Sequence, residues 1–291
     1  MIVSTLVAQI INGLATGATY ALVAAGLSMI FGVLQLVNWA QGQFFMAGGY
    51  LLYLTYVTFG WPYVVAVVAT ILLMAVFGAI FEFIAVRPVI HRPWQTQLVV
   101  TIGASVLLLN GAAVIFGTFP LEAPTNLSYN TLTIGDFTIS WQRILAMAVT
   151  VVAFCILWYI IRATKFGKAM RAVSQNREAC AACGISVQRI GMWTFALGAA
   201  LAGLAAALQV PMENIAPDTG CLLAFKAFAV VIMGGFGSVS GVIPSALLLG
   251  VAEALTAQYV STDYVDAVSF GIMLLVLVLR PQGLFGRRER I

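Results

Sequence analysis

Between Trp61 and Val86 the only charged side chain is Glu82, and apolar runs of the same kind recur from Leu6 to Leu279. A run of about 20 apolar residues, coiled into a helix, matches the hydrocarbon thickness of a bilayer. No water is available there, so every backbone N–H and C=O must be paired within the chain, and helices meet that demand segment by segment. The composition agrees: 62% of the 291 residues are hydrophobic and 8% are charged, whereas an ordinary soluble domain carries roughly 25% charge. A soluble enzyme, a disordered chain and a nucleic-acid binder are excluded. The pattern predicts an all-α fold, a polytopic transmembrane helical bundle forming one domain over 1–291. Eight or nine membrane segments are expected, including short or broken helices.

The expected segments are Leu6–Leu36, Phe44–Phe59, Trp61–Val86, Gln97–Phe116, Gln142–Ile161, Ile190–Val210, Leu222–Met233, Val242–Tyr259 and Val265–Leu279. Phe44–Phe59 is short and follows a polar, uncharged break at Asn38–Gln43. If it crosses, the count is nine and the first segment starts outside; that count is preferred over a re-entrant eight. Leu222–Met233 is too short to cross by itself. Thr118–Trp141 is an acidic connection whose Thr/Ile/Phe alternation suggests a small hairpin at Thr131–Ser140. No basic region precedes the first run, which reads as a retained span rather than a signal peptide.

Charge fixes the orientation. Glu122, Asp136, Glu213, Asp218, Asp263 and Asp266 lie in three connections without Lys or Arg. Arg87 and Arg92 form one basic group, and Arg162, Lys165, Lys168, Arg171, Arg177 and Arg189 form a second. Arg280, Arg287, Arg288 and Arg290 form the third, with Glu289 among them. Basic segments resist translocation, so these three are read as cytoplasmic, the C-terminus included.

Catalytic signatures are missing. No phosphate-binding G-x-x-x-x-G-K-[ST] occurs, so the chain binds no ATP by itself, and the glycines at 234, 235, 237 and 241 do not fit G-x-G-x-x-G. The only histidine, His91, cannot supply a zinc-protease H-E-x-x-H or a membrane-embedded Ser/His pair. Cys180 and Cys183 form a C-x-x-C without a second pair, short of the four ligands of a structural zinc. No cofactor or metal is expected on this chain.

A passage is expected instead. Gly-rich stretches at Gly42–Gly49 and Gly234–Gly241 each interrupt an apolar run, one towards each end of the chain. Broken helices in corresponding positions mark central pathways in repeat-built transporters, so Asn38, Gln41, Gly48, Gly234, Gly235 and Gly237 are candidate pathway residues. Asn12, Thr16, Thr19 and Tyr20 form a mildly polar stripe on the first segment, suited either to line a path or to join helices. Ionisable groups inside membrane segments are costly and often functional. Glu253 is compatible with either role, whereas Glu82, five residues from Arg87, reads as structural.

Gly167–Ile185 is helix-rich and closes with Gly184, suited to a C-terminal cap. Read as one helix, it places Ala169, Val173, Asn176, Cys180 and Cys183 on one small-residue face. Interfacial membrane helices carry bulky apolar residues, so this face is better suited to docking in a groove of another protein.

At these residues the chain resembles the inner-membrane permeases of branched-chain amino acid ABC transporters, H-type subunit. The likeness covers nearly the whole chain in three ordered blocks. The first runs through Asn12-Gly13-Leu14, Tyr20-Ala21-Leu22, Phe31-Gly32-Val33 and Asn38-Trp39-Ala40-Gln41-Gly42 to Gly48-Gly49-Tyr50. The second contains Gly167, Arg171, Ala172, Asn176, Ala179, Gly184 and Ile185. The third runs from Phe225-Lys226-Ala227-Phe228 through Gly234-Gly235-Phe236-Gly237-Ser238 to Glu253-Ala254. Trp39-Ala40-Gln41 stands where such permeases usually carry Phe-Ala-His, and Cys180 and Cys183 fall among alanines.

The resemblance implies a non-enzymatic permease of a bacterial inner membrane, translocating a small apolar amino acid delivered by a periplasmic binding protein. It implies a second, similar or identical permease and two cytoplasmic ATPases, which carry the ATP and Mg. It also implies that residues 162–189 form the coupling loop through Gly167, Arg171, Ala172, Asn176, Ala179, Gly184 and Ile185. Similar permeases carry urea and short amides. An ion-coupled secondary transporter would need Glu253 as its coupling carboxylate. A channel would conduct without any ATPase, and an intramembrane enzyme lacks catalytic groups.

Overall fold

In the computed structural model, which describes residues 2–134, 137–280 and 282–285, the apolar runs are helices. Asp136, Arg287, Arg288, Glu289 and Arg290 lie outside the described residues. The first half comprises α1 (Ile2–Leu34), α2 (Gln41–Leu52), α3 (Tyr63–Phe81), α4 (Trp94–Phe116) and a short α5 (Asn126–Tyr129). An antiparallel hairpin follows, β1 (Thr131–Ile134) with β2 (Phe137–Ser140), where the alternation predicted one. The second half comprises α6 (Trp141–Ala163), α7 (Lys165–Gln175), α8 (Arg177–Ala182), α9 (Val187–Gln209), α10 (Thr219–Gly234), α11 (Val239–Tyr259) and α12 (Val265–Leu279). Wider π-helical turns extend α2 to Thr58 and α3 to Val86.

Seven of these helices are long and apolar enough to cross a membrane. Together with the residues that lead into them, the shorter α2 and α10 also connect the two ends of the bundle, and the contacts fix their directions. α1 and α9 are antiparallel, with Gly26 against Gly198 and Gly191 against Leu34. α3 is antiparallel to α9, from the Tyr63 hydroxyl on the Ala207 carbonyl (2.8 Å) to Gly78 against Phe195 and Ala199. α2 leaves the Leu34 end and carries Tyr56 to the Pro124 carbonyl at the other. α10 arrives at the first end, where the Leu284 N–H donates to the Met233 carbonyl. Directions therefore alternate as in the nine-segment reading, and the start of α1 and the last turn of α12 lie at opposite ends.

Small residues set the helix separations. Lipid tails offer no hydrophobic incentive for helices to associate, so close backbone approach supplies the dispersion contacts. A side chain at Gly13 would meet the Val251 Cα at 2.6 Å, and one at Gly48 the Gly203 Cα at 2.7 Å. α1 is almost wholly buried, walled by α9, α10 and α11, while α3, α4 and α12 turn Val64, Val114 and Leu279 outward. Apolar faces of that size are ordinary against acyl chains and would be an aggregation hazard in water. The chain is a multi-pass membrane protein.

Two expectations need correction. Gly42–Gly49 is not an interruption: it lies within α2, and the irregular backbone is confined to the residues just before Gln41. Its glycines are contact points, Gly42 against Gly220 and Ala224, Gly48 against Gly203, and Gly49 against Val210 and Ile215. Gly167–Ile185 is likewise not one helix. Asn176 ends α7 and caps α8, so Ala169 and Val173 belong to a different axis from Cys180, and Cys183 is exposed while Cys180 is buried.

Candidate translocation and coupling site

α2 begins in mid-bundle. Its first residue, Gln41, sends its amide to the Val23 carbonyl of α1 (3.5 Å) and to the Gly198 carbonyl halfway along α9 (3.3 Å). Asn38 donates to Gln41 Oε1 (3.3 Å) and accepts from the Ala40 N–H (3.2 Å), closing the turn that leads into the helix. α10 also begins inside the bundle, with Gly220 against Gly42, so two helix N-termini meet there. Both polar side chains are fully buried, as irregular backbone at membrane depth requires. Gln41→Leu removes three hydrogen bonds at this junction and is expected to cost about 1–3 kcal/mol, measurable by denaturant unfolding in bicelles; an unchanged midpoint would count against the junction's role.

Polar atoms without partners gather in the same region. Gln43 Oε1, Trp39 Nε1 and the Tyr50 hydroxyl are buried and make no hydrogen bond. Beside them, Cys221, Leu222 and Phe225 form an exposed strip on the first half of α10, a helix otherwise enclosed.

Towards the far end, four helices enclose one charged cluster. Lys226 of α10 lies 3.1 Å from the Glu253 carboxylate of α11 and 3.2 Å from Asp266 of α12. Glu253 also accepts from the Tyr20 hydroxyl (2.9 Å) and from Ser269 Oγ (2.6 Å). The carboxylate is buried, fully engaged and matched by a cation.

The basic segment 162–189 hangs from the opposite end. The Thr164 hydroxyl accepts from the Gly167 N–H (3.1 Å) and so caps α7, and Gly167 lies so close to the Ile160 and Ile161 carbonyls that a Cβ has no room. Asn176 Oδ1 accepts from the Ala179 N–H (2.9 Å), an N-cap of the strongly preferred type. α8 ends with Gly184 at φ +80°. The Ile185 N–H bonds the Cys180 carbonyl (2.9 Å) and the Gly184 N–H the Ala181 carbonyl (3.0 Å), the paired closure that favours glycine. Arg171 donates to the Ile161 carbonyl. Arg177 donates to the Val33 carbonyl at the end of α1 (3.1 Å), and burial lowers the pKa of its guanidinium. That end of α1 also meets the α10–α11 turn, Phe31 against Phe236 at 4.6 Å and Gly32 against Gly237. Gly235 (φ +91°) and Gly237 (φ +75°) hold this turn in a backbone region that side chains disfavour.

The structure therefore brings Asn38 and Gln41 to one mid-bundle junction, places Gly48 about two turns further along α2 against Gly203, and brings Tyr20 and Glu253 to the charged cluster. Gly234, Gly235 and Gly237 sit apart, at the basic end beside the last turn of α1. Asn12 and Thr16 lie beside the α1–α11 contact, where the Thr16 hydroxyl donates to the Asn12 carbonyl within its own helix (3.3 Å). Sequence reasoning passed over Lys226 as a site residue; its signal was a lone cation in an apolar segment of a chain that also buries Glu253. It also passed over Gln43, whose polarity was assigned to a loop.

The family model for the branched-chain amino acid transport system / permease component matches residues 9–277. The high-affinity branched-chain amino acid transport system permease protein LivH of Escherichia coli K12 is 32% identical over 295 residues, covering 97% of this chain and 96% of the relative. BraD of Pseudomonas aeruginosa, of the same description, is 33% identical over 294 residues, with 97% and 96% covered. LivM of Escherichia coli K12 is 25% identical over 292 residues, covering 91% of this chain and 67% of the relative. No solved structure matches the chain. With the family model and these relatives spanning nearly its full length, the chain belongs to the branched-chain amino acid transport system permease family.

Proposed function

We propose that this chain is the membrane permease of an ATP-driven importer for small apolar amino acids, branched-chain ones foremost. The observation that carries this is the likeness to LivH and BraD along almost the whole chain. The mid-bundle start of two helices adds to it, because half-helices that begin at the membrane centre leave N–H groups and a positive dipole end facing the passage. The solute path follows the exposed strip of Cys221, Leu222 and Phe225, with Trp39, Gln43 and Tyr50 as polar contacts beside it. A second permease, of the kind LivM represents, closes the other side of the path.

In this reading the basic end is cytoplasmic, within a bacterial inner membrane, and a periplasmic binding protein delivers solute at the acidic end. ATP and Mg are bound by two partner ATPases. Their closure moves α7 and α8, and the motion reaches the Gly235–Gly237 turn through the end of α1. An ion-coupled mechanism is less favoured, because Glu253 already spends its charge on Lys226.

The test is uptake of labelled leucine into proteoliposomes holding the purified complex and its binding protein. Saturable uptake that requires ATP, with urea and acetamide as weak competitors, is expected. Solute flux without the ATPases, or better competition by the amides, would overturn the assignment.

A further inference from the structure

At the basic end, a cleft of about 570 Å³ opens between α1, α6, α7 and the α10–α11 turn. Its inner wall is apolar, formed by Met29, Phe154, Leu157 and Ile243. Its rim carries the charges and hydroxyls: Arg162, Arg171, Ser174, Ser238 and Ser240. Among the described residues, no carboxylate lines it. Phe154 and Arg162 lie eight residues apart on α6, about 12 Å along the axis, so the cleft passes from hydrocarbon depth to headgroup depth.

Three details point to an occupant. The Arg162 guanidinium stacks over Trp158, 5.5 Å from the ring centroid, an arrangement suited to the membrane interface. Arg171 donates to the Ile161 carbonyl yet has further N–H donors on its planar fork. Ser28, fully buried beside the cleft, has a hydroxyl with no hydrogen-bond partner. Two guanidiniums without a carboxylate are a phosphate-binding chemistry. A free phosphate needs no apolar inner wall, whereas a lipid needs both parts.

We propose that this cleft binds an anionic glycerophospholipid of the adjoining leaflet. The phosphate lies between Arg162 and Arg171, one acyl chain runs along Phe154 and Ile243, and the Ser28 hydroxyl donates to a glycerol ester oxygen. Basic pockets between transmembrane helices on the cytoplasmic side suit such headgroups. Taking the leaflet as the cytoplasmic one rests on the orientation in Proposed function. The lipid touches both α7 and the Gly235–Gly237 turn, the two parts assigned to coupling.

The test is native mass spectrometry of the delipidated, intact complex, titrated with phosphatidylglycerol, phosphatidylcholine or inorganic phosphate. Phosphatidylglycerol adducts are expected to persist, and to weaken about tenfold or more in Arg162→Gln/Arg171→Gln. Ser240→Glu, which adds a negative charge at the rim and leaves both arginines in place, is expected to do the same. Arg92→Gln, outside the cleft, is expected to change nothing. Equal retention of phosphatidylcholine, adducts indifferent to both cleft variants, or displacement by inorganic phosphate would each overturn the proposal. The adduct count does not depend on transport, so a failure of ATP-driven leucine uptake with adducts intact counts against the proposed function alone.

Discussion

Lys226→Met is expected to destabilise the folded protein by about 3–5 kcal/mol, because it removes one partner of a buried ion pair and strands the other. Lys226 is the cation within reach of Glu253, at 3.1 Å, and without it the carboxylate keeps only the Tyr20 and Ser269 hydroxyls. The cluster sits among α1, α10, α11 and α12, so its loss loosens four helices at once. Lys226→Met/Glu253→Gln removes both charges together and is expected to recover most of the loss, since an ion pair replaced by neutral groups of similar size is often near neutral. Tyr20→Phe, which deletes one hydrogen bond, is expected to cost about 1 kcal/mol. Unfolding in lipid bicelles measures all three. A double variant as unstable as Lys226→Met would show that Glu253 has a further role, and proton-driven uptake without ATP, abolished by Glu253→Gln, would identify it as ion coupling.

The membrane segments were legible in the sequence because lipid leaves an apolar run few alternatives to a helix, and the hairpin because alternation at Thr131–Ser140 has a period of two. What escaped were features that depend on partners distant in sequence. Lys226 and Glu253 each looked like an isolated charge, and nothing local indicates that α10 and α11 bring them to 3.1 Å. The glycines of Gly42–Gly49 read locally as a break in an apolar run, whereas their missing side chains make room for α9, α10 and the loop between them. At Asn176 the signal was present but misjudged. Asparagine is a poor helix-interior residue and a strong N-cap, and the structure uses it as one, between α7 and α8.

Gly184→Trp is expected to lower ATP-driven uptake about tenfold or more while leaving the permease folded. The folded state tolerates the change because nothing lies within 4 Å of a Cβ at Gly184. Holding a bulky residue at φ +80° costs about 1–2 kcal/mol locally, a modest loss for a capped surface turn. The bulk therefore projects from the face assigned to the ATPase, where it obstructs docking. Arg171→Glu is expected to act in the same direction by placing a negative charge on α7 where Arg171 now donates to the Ile161 carbonyl. Asn176 separates docking from geometry: Asn176→Ala removes the α8 cap, worth about 1 kcal/mol, while Asn176→Asp keeps it. If α8 transmits force as a rigid unit, alanine reduces uptake per ATP hydrolysed and aspartate restores it, with ATPase binding unchanged in both. Helix content by circular dichroism and retention of the ATPase on the purified complex supply the controls. Normal ATP-driven uptake in Gly184→Trp and Arg171→Glu alike would remove 162–189 from the coupling path, and the stroke would then have to enter through another part of the basic end.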